Sequence, residues 1–124
     1  ACLAETQRVL KPGGTFIFSS HNARLLAPWP ELANARPHQI GWRFVRMAVA
    51  AARSAASPSF RRGEGYAFEH FDGGMLWYRS TPGVIRRQVE AAGLLLEAVH
   101  PAQSPRIRSM FFTHWIYYVC RKPG

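Results

Sequence analysis

The 124 residues predict an α/β fold in which helices alternate with strands of a mixed sheet whose last strand runs antiparallel to the rest. Three observations carry this. A β-rich run, Thr15 to Ser20, is apolar on both faces and follows a Lys11-Pro12-Gly13-Gly14 bend. A well-punctuated helix and a strand follow further along, from Thr81 to Val99. The last two strand-like segments are joined by a loop of about a dozen residues with no helix, which favours an antiparallel pair.

Taken in order, Ala1 to Leu10 reads as the end of an amphipathic helix, with Leu3 and Leu10 seven apart and Val9 beside them. Pro12 cannot continue it, and the glycines allow the left-handed exit that a helix end needs. Thr15 to Ser20 then suits a strand buried between two layers. Ala23 to Pro37 is loop-like, with Pro28, Pro30 and Pro37. Gln39 to Ala56 reads as a second helix: Ile40, Phe44, Met47 and Ala51 form one stripe, and Arg43, Arg46 and Arg53 fall on a different face. Ser57-Pro58-Ser59 is expected to end it.

Phe60 to Arg79 reads as a hairpin or lid. Tyr66, Phe68 and His70 alternate with Ala67, Glu69 and Phe71, Asp72-Gly73-Gly74 is a turn signal, and Met75 to Tyr78 returns. Thr81 is placed to cap the next helix with Pro82 at its first position, Val84, Ile85, Val89 and Ala92 share one face, and Gly93 supplies the stop. Leu94 to Val99 and Phe111 to Arg121 are the closing strands.

Composition sets the outer bounds. At 48% hydrophobic and 13% aromatic the chain is globular, and its length allows one small domain. It opens at Ala1 inside a helix, which leads to the expectation that it is a fragment. Cys2 and Cys120 lie at opposite ends without metal or redox spacing, and buried free thiols in a reducing, cytoplasmic compartment are expected. His38, His70, His100 and His114 show no ligand spacing, so no metal site is expected. No signal peptide is visible, and no apolar run reaches the roughly 18 residues that span a bilayer.

Three local matches, in chain order, resemble the C-terminal half of class I S-adenosylmethionine-dependent methyltransferases. Arg8-Val9-Leu10-Lys11-Pro12-Gly13-Gly14-Thr15-Phe16-Ile17-Phe18-Ser19 is similar to the family's helix exit and fifth strand. Tyr78-Arg79-Ser80-Thr81-Pro82 through Val89-Glu90-Ala91-Ala92-Gly93-Leu94 resembles its last helix. Ile116-Tyr117-Tyr118-Val119-Cys120-Arg121-Lys122-Pro123 resembles its closing antiparallel strand. The resemblance implies residues 1–124 of a Rossmann-like methyltransferase sheet with an insertion or lid at about 23–79.

It also implies S-adenosylmethionine as cofactor and methyl transfer to an acceptor, expected to be a small molecule. The glycine-rich loop and the acidic strand end that hold this cofactor in the family have no counterpart in the sequence, and Gly63-Glu64-Gly65 neither follows a buried strand nor opens a helix. The cofactor is therefore expected to be bound mainly by a preceding half, and the 124 residues alone to be inactive.

Ligands of open α/β sheets sit beyond the carboxyl ends of the parallel strands. That rule points to Ser19, Ser20, His21 and Asn22, and the resemblance implies acceptor-binding residues there. The substrate-binding set is Ser20, His21, Asn22, Tyr66, His70 and Tyr78, with Trp77 and Phe68 as packing of the lid. His21 is the candidate base, because histidine titrates near neutral pH.

A second reading is a basic module that binds nucleic acid or an anionic membrane surface, prompted by the net charge of +9. The arginines run from Arg8 to Arg121 without a contiguous tract, and no nucleic-acid motif is recognised, so the enzyme reading leads.

Overall fold

The computed structural model describes residues 2–25, 36–69, 75–102, 111 and 113–124. Helix α1 (Cys2–Val9) leads into β1 (Thr15–Asn22). A 3-10 turn (Pro37–Gln39) opens α2 (Ile40–Ala56), and α3 (Pro58–Arg62) follows. Strands β2 (Glu64–Glu69) and β3 (Met75–Ser80) precede α4 (Pro82–Ala91), β4 (Leu95–Pro101) and β5 (Trp115–Arg121). The strands form one five-stranded sheet in the order β2-β3-β1-β5-β4.

The expected reversed closing pair is present. β5 runs antiparallel to β1 from Thr15↔Arg121 to His21↔Trp115, and β4 lies antiparallel on its other side with a bulge between Leu96 and Ala98. The Pro-Gly-Gly bend works as the sequence suggests. Gly13 takes φ +73°, its N–H donates to Lys122 O at 3.0 Å, and Lys122 N donates back to Gly14 O at 2.9 Å. The Lys122 ammonium also reaches the carbonyls of Gln7 and Leu10, both at 2.8 Å, where α1 leaves acceptors without helical partners.

Helix α4 ends as Gly93 foretold. Leu94 N donates to Val89 O and Gly93 N to Glu90 O, with Gly93 at φ +74°, which is the pair of hydrogen bonds of a left-handed helix stop. Thr81 stands at the N-cap with Pro82 inside it, although no side-chain cap bond forms. The stop throws Leu94 directly into the core with Ile85, Val89, Ile116, Tyr118 and Cys120, and Leu3 of α1 and Leu10 just beyond it pack against the same cluster. Both helices thus bury one face of the sheet.

Four expectations change. β1 is not covered on both sides: Ile17, like Tyr117 and Leu95 on the neighbouring strands, is exposed on the face opposite α4. The hairpin expected within Phe60 to Arg79 is present as β2 and β3, paired antiparallel from Glu64↔Ser80 to Glu69↔Met75, and β3 also pairs parallel with β1 through His21↔Arg79 and Asn22↔Ser80, so that the hairpin extends the sheet. Ser57-Pro58-Ser59 ends α2 but at once starts α3, with the Ser57 hydroxyl accepting from Phe60 N at 3.2 Å. Of the stripe expected on α2, Ile40 and Phe44 are exposed while Met47 and Ala51 are half-buried on a side shared with Arg43, Ala50 and Ser54, and the helix contains no buried residue. Cys2, expected to be buried, is instead exposed on the first turn of α1, while Cys120 is buried as expected; both are free.

Candidate functional site

Two parallel strands, β1 and β3, end side by side, and their carboxyl edge is the place where an open sheet of this kind receives ligands. The edge is closely tied. Ala23 N donates to Ser80 O at 3.1 Å, and Asn22 N donates to His114 O at 3.0 Å, so the chain leaving β1 is held between the end of β3 and the start of β5.

Strand alternation decides which residues meet there. Consecutive side chains of a strand point to opposite faces, and paired residues share a face. His21, paired with Arg79 and with Trp115, therefore stands on the face away from α4, together with Trp77. Its imidazole is buried between two indoles, with ring centroids at 4.2 Å from Trp77 and 3.8 Å from Trp115, and His114 stands edge-on at 5.5 Å. The two indoles are perpendicular to one another at 6.1 Å. This is an aromatic box around one titratable ring, in which the π-faces favour offset and edge contacts.

Ser20 and Asn22 point the other way. The Ser20 and Ser80 hydroxyls lie 2.7 Å apart in a hydrogen bond. Asn22 is buried; its amide donates to Thr113 O at 2.8 Å and accepts from Arg24 N at 2.9 Å, so it shapes the turn after β1 as asparagine does through its own backbone. Tyr78 and Tyr66 form a cross-strand pair on this second face, edge-on at 5.4 Å. Tyr78 donates to the Glu64 carboxylate at 2.6 Å and accepts from Gln88 of α4. Partial burial, with the hydrogen bond to Glu64, raises the Tyr78 phenol above its ordinary value. His70 lies outside the described residues.

The structure therefore splits the sequence-derived set. His21 is alone on its face, with Ser20, Asn22, Tyr66 and Tyr78 on the other. What the sequence reading missed is Trp115, His114 and Arg79, which reach His21 only through strand register. The alternation of Trp77 with Tyr78 was the one available hint that these two aromatics would part.

The residues described do not by themselves fit S-adenosylmethionine. A Cβ at Gly63 would meet the Thr81 side chain at 3.1 Å, and one at Gly65 would meet Ser59 at 3.3 Å. The space those glycines leave is thus filled by the protein's own packing and gives no open cradle. Among the described residues no three His, Cys, Asp or Glu side chains gather as a metal site would require, and no helix is long and apolar enough to cross a membrane.

The same architecture occurs in solved structures. A protein from Listeria monocytogenes assigned as an S-adenosylmethionine-dependent methyltransferase matches with a TM-score of 0.57 at 14% identity, over 98% of this chain and 54% of that one. An S-adenosylmethionine-dependent methyltransferase from Mesorhizobium loti matches with a TM-score of 0.51 at 12% identity, over 97% of this chain and 53% of that one. The chain spans about half the length of the structures it resembles, and the likeness establishes the fold. No protein-family model and no curated protein matches the sequence.

Proposed function

We propose that the complete protein transfers a methyl group from S-adenosylmethionine to a small-molecule acceptor, and that these residues supply the acceptor side of its site. The observation carrying this is the conjunction of the reversed β1-β5-β4 arrangement with a buried histidine at the carboxyl edge of β1. The likeness to methyltransferases over nearly the whole chain supports it. The glycine-rich and acidic parts of the cofactor site are assigned to sequence outside these 124 residues.

In this reading His21 orients the acceptor and takes its proton where the chemistry releases one, a role suited to imidazole near neutral pH. Trp77 and Trp115 hold the ring in place and keep water from it. Tyr66 and Tyr78 pair across the hairpin on the opposite face.

The test is His21→Ala in the full-length protein, followed by steady-state kinetics and cofactor binding. Turnover is expected to fall about a hundredfold or more, the range of a lost general base, while cofactor affinity stays within about twofold. Equal loss of both assigns His21 to packing alone.

A further inference from the structure

The charge of the chain is not evenly spread. Six of its 16 basic residues, Arg36, Arg43, Arg46, Arg53, Arg61 and Arg62, and none of its seven acidic ones lie between positions 32 and 63. That quarter of the sequence holds six of the nine net positive charges, and it is the quarter that contains α2 and α3.

Helix α2 adds a second property. Trp42 is 67% exposed and Phe44 58%, and Ile40, Val45 and Val49 are exposed with them. At about 100° per residue these five side chains span an arc of roughly 200°, and the positions between them are alanines and Gly41. Arg53 and Arg46 border the arc on the Trp42 and Val49 side. Over its 17 residues the helix offers an apolar strip about 25 Å long with a basic margin.

We propose that α2 seats the protein on the surface of an anionic lipid bilayer, lying in the interface with its apolar arc among the acyl chains and its arginines among the headgroups. The proposal stands apart from methyl transfer. Interfacial helices combine these two features, apolar residues that include Trp or Phe on one face and Arg or Lys beside them. The indole of Trp42 lies at the boundary between arc and arginines, the level at which tryptophan settles in a bilayer. A nucleic acid would use the arginines and leave the exposed Trp42, Phe44 and Val45 in water, so the lipid surface answers both halves of the pattern.

Co-sedimentation of the full-length protein with vesicles tests this. Vesicles of phosphatidylcholine with about a third phosphatidylglycerol should bind it, phosphatidylcholine alone should not, and salt should weaken the binding. The surface pair Arg53→Gln/Arg61→Gln should weaken it about thirtyfold, from about fivefold per lost charge. Trp42→Ser should weaken it about tenfold or more with the charge unchanged. Absence of binding to the anionic vesicles overturns the proposal, as does binding indifferent to lipid charge or to both variants. A dimer that Trp42→Ser dissolves would show a second copy as the occupant. Tighter binding to duplex DNA than to vesicles, insensitive to Trp42→Ser, would show nucleic acid instead; either result overturns it.

Discussion

Tyr118 sits fully buried at the centre of the core, its ring stacked on Phe18 at 5.2 Å, yet its hydroxyl meets no hydrogen-bond partner among the described residues. A hydroxyl taken from water without a partner costs about 1–3 kcal/mol by mutational measures. Tyr118→Phe keeps the ring, its stacking and its volume and removes only that group. The variant is expected to be more stable by about 1–3 kcal/mol near neutral pH.

A pH signature accompanies it. Burial holds the Tyr118 phenol well above its ordinary value, so the folded chain keeps a proton that the unfolded chain loses above about pH 10. With more protons bound in the folded state, the favourable contribution is complete below that pH and lost as pH rises, at up to about 1.4 kcal/mol per unit. Urea denaturation of wild type and variant at about pH 8 and about pH 11 reads both effects. The wild type should lose stability over that interval, and Tyr118→Phe should lose less. Burial also raises the Tyr78 phenol and the Cys120 thiol, so part of the slope remains in the variant. Destabilisation of the variant by more than about 1 kcal/mol at the lower pH would mean that the hydroxyl is bonded, and would refute the reasoning.

Two further substitutions probe the ties at either end of β1. Asn22→Ala removes the bonds to Thr113 O and Arg24 N and should cost about 2–3 kcal/mol in the same denaturation assay; a cost under about 0.5 would deny Asn22 its part in the turn. Lys122→Met strips the ammonium from the two α1 carbonyls and should cost about 1–2 kcal/mol, with faster amide exchange at the end of α1 as its local mark.

Much of the fold is legible because local chemistry enforces it. Pro12-Gly13-Gly14, Pro82 and Gly93 punctuate by fixed φ preferences, and each does in space what its residue type demands. The reversal of β5 follows from too short a connection for a crossover helix. The placement of β3 does not follow from anything local: its two-residue parallel pairing with β1 depends on the route of the chain between them.

The site suffers from the same limit. Ser20, His21 and Asn22 are neighbours in sequence, but a strand sends them alternately to opposite faces, and which face is which depends on where α4 packs. Trp115 stands beside His21 because of a register set over the full length of the β1-β5 pair, and nothing in the Phe111–Arg121 run states that register. The exposure of the α2 stripe was hidden for a related reason. Periodicity shows that a helix is amphipathic, not that its apolar side has found a partner in the chain.

Hydrogen exchange of the full-length protein with and without S-adenosylhomocysteine tests most directly where this sheet receives its ligand. Slower exchange is predicted at the carboxyl edge of β1 and β3, in residues 20–25 and 77–81. Protection confined to the opposite edge, around Gly13 and Lys122, would contradict it.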